Sequence, residues 1–242
     1  MLLLLLLPIG FPLPQAFKLV REVIGGREAK PRSRPYMACV KMKTETGRGT
    51  SLCRGFLIQE NVVVTAAHCN SNLGITVLLG AHNIAIKDWG SQEIRVHCRI
   101  PHPEYNDRTK ENDIMLLQLV HKARLTPTIC TIPLSVRKVK VGATCSVAGW
   151  GRTNTEINAR HSLTLQEVEL KVMDKCICLS RPYMHYVPSR MLCVGDPWER
   201  KASFQVSVGK EYLTITGQIL EIKDRGWLDP WTVDTGQVPT MS

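Results

Sequence analysis

Apolar residues along this chain cluster in short stretches broken by turn residues. Val62-Val63-Val64-Thr65 is a run of β-branched residues that reads as a buried strand ending at Ala66-Ala67. Ahead of it, Leu52-Cys53 and Gly55-Phe56-Leu57-Ile58 form another apolar stretch between turn residues. Residues 75–80, 92–100 and 114–120 give three further strand candidates. Later, Gly149 and Gly151 flank Trp150, which suits a strand end with close backbone approach. Leu163, Leu165, Val168, Leu170 and Val172 alternate with polar residues. Between these segments no helical periodicity lasts more than two turns. Many short strands separated by Gly, Pro and Asn turns predict an all-β barrel architecture rather than a parallel sheet.

Composition narrows the setting. A chain of 242 residues can bury a sizeable core as one two-barrel domain or as two small domains. Its 31 basic and 21 acidic residues leave a formal charge of +10, which favours acidic partners such as sulfated polysaccharide. Nucleic acid is not expected as a partner, because Arg137-Lys138-Val139-Lys140 is a short patch without interleaved aromatics. Nine cysteines fit an oxidising compartment, and the odd number leaves at least one thiol without an internal partner. Spacings such as Cys176-Ile177-Cys178 are too tight for a usual zinc site, so no metal is expected. Leu2 to Leu7 suit the apolar core of a signal peptide over residues 1–16, with Ala16 as the nearest cleavage candidate. The run is too short to span a membrane, so no transmembrane segment is expected. A buried apolar strand is the alternative. No Asn-x-Ser/Thr acceptor occurs.

Two positions carry candidate chemistry. His68 stands where the strand 62–65 ends, beside Cys69, which can pin that end to another strand. An imidazole held there can accept a proton at neutral pH, although a satisfied histidine beside a disulfide is the plainer reading. Asp113 immediately precedes an apolar strand, so its carboxylate is expected to be partly buried and to need donors. A turn or strand-edge aspartate would look the same.

The segment Thr65-Ala66-Ala67-His68-Cys69 closely resembles the histidine motif of the chymotrypsin-fold serine proteases. Residues 27–38 (REAKPRSRPYMA) and Pro101-His102-Pro103-Glu104-Tyr105-Asn106 are similar to the granzyme, cathepsin G and mast-cell protease group. The resemblance implies two six-stranded antiparallel Greek-key barrels, proteolysis of protein or peptide substrates, no cofactor, and a secreted or secretory-granule location. It makes His68 the general base and Asp113 the group that sets its tautomer. It also places disulfides at Cys53 with Cys69 and at Cys178 with Cys193, and expects a later partner for Cys145. Val23, in Val23-Ile24-Gly25-Gly26, would become a new amino terminus after removal of a propeptide, residues 17–22. Ala202 would lie at the base of the specificity pocket, where the lack of an aspartate argues against a trypsin-like preference for Lys or Arg.

The resemblance stops after Gln205. Where the family continues Gly-Asp-Ser-Gly-Gly-Pro, this chain reads Val206-Ser207-Val208-Gly209-Lys210, and Gly-Asp-Ser-Gly occurs nowhere. Lost together are the nucleophilic serine, the oxyanion-hole glycine, the aspartate that receives the new amino terminus, and the partner of Cys145. Ser207 falls one place early between two valines. The expected organisation is therefore a protease domain over residues 23–205 without its nucleophile segment, an incomplete second barrel, and a non-family tail over 206–242. Tyr212 to Thr216 and Gln218 to Ile222 have some strand character. The expected function is that of a serine endopeptidase by family but inactive as written. Alternatives are a non-catalytic homologue that binds partners, or a nonproductive splice product.

Overall fold

The computed structural model describes residues 21–44, 49–135, 139–151, 161–180, 186–189 and 191–195, together with four short strands beyond them. Residues 21–24 and 135 and those four strands are described as backbone only. The expected signal peptide over 1–16 lies outside the described residues, as do Ser207 and most of the tail.

In chain order the first strands are β1 (Arg21–Ile24), β2 (Arg27–Glu28), β3 (Met37–Lys43), β4 (Thr50–Gln59) and β5 (Val62–Thr65). Then come β6 (Ile75–Leu79), β7 (Gln92–Pro101) and β8 (Met115–Leu119). Strands β3 to β8 close into a six-stranded barrel in the order β3-β4-β5-β8-β7-β6, with every pair antiparallel. The continuous apolar run of β5 follows from its position, since all four of its residues are buried. Val63 enters the barrel interior with Leu57, Leu79, Ile94, Met115 and Leu117. Val64 faces outward into a second cluster with Phe56, Ala148, Trp150 and Leu165. A strand covered on both faces has no reason to alternate.

Gly55 on β4 lies opposite Thr65. A Cβ there would meet the Val64 carbonyl oxygen at 2.7 Å and Val63 Cγ1 at 2.8 Å, so glycine is what lets these strands approach.

The second sheet is assembled from β9 (Leu134–Ser135), β10 (Thr144–Gly149), β11 (Gln166–Val172), β12 (Leu192–Gly195), β13 (Ala202–Gln205), β14 (Tyr212–Ile215), β15 (Glu221–Ile222) and β16 (Gly226–Leu228), except that β13 pairs apart from it with β1. Its path runs β14-β12-β11-β10-β15-β16-β9, with β2 added beside β11. Unlike the first barrel, this sheet does not close on itself among the described residues, and β16 pairs with β9 in parallel. Tail segments supply β14, β15 and β16, so the stretches of weak strand character after Gln205 pair with family-like strands.

The alternation expected from Leu163 onward holds only from Leu165. Leu165, Val168, Leu170 and Val172 are buried, whereas Leu163 is about half exposed. One short helix, α1 (Lys175–Leu179), is capped by Asp174, whose carboxylate accepts the Cys176 N–H at 2.8 Å. That bond holds the Asp174 carboxyl below its ordinary range.

Candidate active site

Strand pairing brings the two candidate residues together. β5 and β8 are antiparallel with Thr65 opposite Met115, so the end of one and the beginning of the other emerge at the same rim. His68 lies three residues past Thr65 on a 3₁₀ turn, Ala67–Cys69, and Asp113 lies two residues before Met115. The turn closes through Cys69 N–H to the Ala66 carbonyl at 3.0 Å. Cys69 is disulfide-bonded to Cys53 on β4, and Thr65 Oγ1 donates to the Arg54 carbonyl at 2.8 Å. The small residues Ala66 and Ala67 pack into the barrel core, which leaves His68 at the surface end of the turn.

The Asp113 carboxylate grips His68 at two points. One oxygen accepts the His68 backbone N–H at 2.8 Å, and the other sits 2.5 Å from Nδ1. Both side chains are largely buried, at 15% and 7% exposure, so the contact is made in a weakly screened setting. A carboxylate on Nδ1 keeps the ring proton there and makes Nε2 the proton-accepting nitrogen. It would also stabilise the imidazolium formed once Nε2 takes a proton.

The Asp113 turn is fixed from the other side. Asn112 adopts φ 52°, a left-handed conformation that asparagine tolerates, and its side-chain amide donates to the Glu104 carbonyl at 2.9 Å. His102 N–H donates to the Ile114 carbonyl at 2.9 Å. Tyr105 packs against the barrel core, and its hydroxyl donates to Asp107 at 2.8 Å. Burial, that hydrogen bond and the negative charge of Asp113 all push the Tyr105 hydroxyl pKa upward. Lys110, 2.5 Å from Asp107, holds the Asp107 carboxyl below its ordinary value, with help from Tyr105.

Other expected positions fall as follows. Cys178 and Cys193 are disulfide-bonded, tying α1 to β12. Cys39, Cys98, Cys130, Cys145 and Cys176 are free thiols. Cys145 is buried and its thiol is 3.4 Å from the Leu170 carbonyl; burial pushes its pKa up to about 12. Val23 and Ala202 lie on neighbouring strands, because β1 pairs antiparallel with β13 and sets Val23 opposite Ser203 and Ile24 opposite Ala202. The side chain of Ala202 is outside the described residues.

One supporting group was not apparent from the sequence. Arg34, with 10% side-chain exposure, donates from Nη2 to Glu167 on β11 at 2.9 Å and to Ser146 Oγ on β10 at 2.6 Å, tying the segment before β3 to the second sheet. Nothing local to Arg34 announces partners more than a hundred residues away.

The trypsin family pattern matches residues 23–206. Duodenase-1 of Bos taurus is 47% identical over 210 residues, which cover 86% of this chain and 80% of that protein. Cathepsin G of Homo sapiens is 44% identical over 208 residues (85% and 78%), and granzyme B of Homo sapiens is 46% identical over 190 (78% and 75%). A solved structure of GrC superposes with a TM-score of 0.71 at 39% identity, covering 81% of this chain and 86% of that one. With a match of this extent, alongside a closed antiparallel barrel that sets His68 against Asp113, the chain belongs to the trypsin family of serine proteases.

Proposed function

We propose that this chain is a granzyme-like member of the family that keeps the proton-handling half of a serine endopeptidase site and does not hydrolyse peptide bonds. His68 is assigned as general base and Asp113 as its orienter. The observation that carries the assignment is the contact of the Asp113 carboxylate with both the ring and the backbone of His68, at 2.5 and 2.8 Å. The observation against turnover is in the sequence: Val206-Ser207-Val208-Gly209 stands where the family carries its nucleophile and oxyanion-hole glycine. In an intact site, loss of a triad member still leaves roughly 10³–10⁴-fold acceleration over water, largely from the oxyanion hole and binding. Here that hole is missing too, so the remnant is lost with it. Incubation with a mixed peptide library is expected to yield no cleavage above a buffer control; cleavage that disappears in His68→Ala would overturn the assignment.

The surrounding assignments follow the same reading. Residues 1–16 are assigned as a signal peptide and 17–22 as a propeptide, with Val23 as the amino terminus after processing and residues 23–205 as the protease domain. Ala202 is assigned to the floor of the specificity pocket. Secretion or storage in a secretory granule fits the nine cysteines and the relatives, among them mast cell protease 3 of Ovis aries and granzyme B. The +10 charge supports adhesion to sulfated polysaccharide, with peptide or protein as the other binding class.

A second reading concerns the tail. The family match ends at residue 206, one position past the abrupt change of sequence, and a Val-Ser junction permits the nucleotides GTG-AGT of a splice donor. Residues 206–242 are on this reading translated from a retained intron, and the same gene also produces an active protease. Sequencing transcripts across codon 205 tests it: a second species continuing into Gly-Asp-Ser-Gly supports retention, and transcripts that all continue into Val206 exclude it.

A further inference from the structure

Outside the His68–Asp113 pair, the described residues form a cleft of about 390 Å³ between the segment before β3 and the loop that joins β6 to β7. Neither His68 nor Asp113 lines it. Its lining includes the buried apolar side chains of Met37, Ala81 and Leu165, and Arg32 and Trp89 also line it. Trp89 is 101% exposed, which is unusual for so large an apolar ring beside an apolar hollow. Arg32 is also exposed, on a left-handed backbone with φ 64°, and makes no ion pair or hydrogen bond among the described residues.

The charges around the cleft are lopsided. Arg34 is neutralised by Glu167, and the His82 ring is paired with Glu28 at 2.7 Å. That leaves Arg32 unpaired, with Lys30 and Lys87 each one residue along the chain from a lining position and equally unpaired among the described residues. Against these three cations the lining holds one carboxylate, Asp88, which accepts the His82 backbone N–H at 3.0 Å. An apolar hollow beneath an exposed indole, with a cationic rim, matches a ligand having a bulky apolar group beside negative charge.

We propose that this cleft docks an acidic peptide segment of a protein partner, with an apolar side chain seated over Met37 and Leu165 beside Trp89 and a neighbouring carboxylate on Arg32. A guanidinium can bind such a carboxylate in bidentate fashion. The apolar hollow is what favours a peptide over a sulfated saccharide, which would use the cations and leave the hollow empty.

The full chain is titrated with the peptide Ac-DEFLDE-NH2, its charge-reversed counterpart Ac-KKFLKK-NH2 and a sulfated hexasaccharide, while indole emission is followed. Because the chain has five tryptophans, Trp89→Phe serves to isolate the signal of Trp89. The expected result is a saturable change with the acidic peptide alone, absent in Trp89→Phe and shifted roughly tenfold to weaker binding in Arg32→Gln. Acrylamide quenching of the unmutated chain should fall when the acidic peptide is bound. No saturation, equal binding of the basic peptide, unchanged affinity in Arg32→Gln, or saturation by the hexasaccharide alone would each overturn the proposal. Because the readout is binding, the outcome is independent of whether the chain hydrolyses peptides.

Discussion

At the residue scale, the Asp113 carboxylate is the group on which the site depends. It is buried, and both its oxygens are taken by His68. In Asp113→Asn the amide oxygen can keep the backbone N–H, but the amide NH2 on the other side drives the ring proton from Nδ1 to Nε2. Loss of the charge-assisted contact is worth about 1–3 kcal/mol for a buried group. Urea unfolding should show a loss of that size, and an unchanged midpoint would mean that the contact contributes nothing to stability. The free thiols make a second test. Burial pushes Cys39 and Cys145 up to about 12, against about 9 in the unfolded chain. Protons are therefore lost first from the unfolded state. The stabilisation is fully present below pH 9 and declines as pH rises from 9 towards 12. The urea midpoint should fall between pH 8 and pH 10.5, and fall less in Cys145→Ala; equal slopes in the two chains would contradict the assignment. Native alkylation at pH 8 should spare Cys39 and Cys145. Exposed Cys176 should react, though more slowly than an unperturbed thiol, since Asp174 raises its pKa. Asp113 and His68 were both legible in the sequence because each ends or begins an apolar run. Their approach was not, since it depends on β5 and β8 being neighbours with Thr65 set opposite Met115.

At the scale of elements, the close packing of β4 on β5 positions the histidine turn. Gly55→Ala pushes a methyl group into the Val64 carbonyl and the Val63 side chain, neither of which can move without disturbing the barrel. The expected destabilisation is about 1–3 kcal/mol by chemical denaturation; tolerance of alanine without loss would mean that the strands can separate at this point. Five strands of the first barrel, β4 to β8, were readable as apolar stretches between turn residues, and β5 was read at its full extent; β3 was not among the strand candidates. Leu163 misled the alternation because it continues the apolar pattern in sequence while its side chain is about half exposed. The tail strands showed only as weak local preference. Pairing of Glu221 and Ile222 with β10 involves partners far away in the chain and leaves no local periodicity to read.

At the scale of the whole molecule, a closed barrel is joined to a second sheet. The seam is apolar, with Phe56 and Val64 from the barrel against Ala148, Trp150 and Leu165 from the second sheet and its flanks. Arg34 adds a charged link across it through Glu167 and Ser146. Arg34→Ala should lower stability by about 2 kcal/mol, because Arg27 still reaches Glu167 at 3.0 Å and keeps that carboxylate partly paired. A loss below a few tenths of a kcal/mol would show that the link is incidental. Family membership was visible in sequence motifs spread over residues 23–205, and the same sequence carries the loss of the nucleophile segment. Among the described residues the tail adds strands of only two to four residues to the second sheet. The central claim is that the chain retains the His–Asp pair without an activated serine. The most direct test exposes Val23 as the amino terminus, incubates the chain with a fluorophosphonate and records the intact mass. The expected result is an unmodified mass beside a fully labelled active protease of the same family. A stoichiometric adduct would mean that a serine of this chain is activated by His68, and would contradict the account.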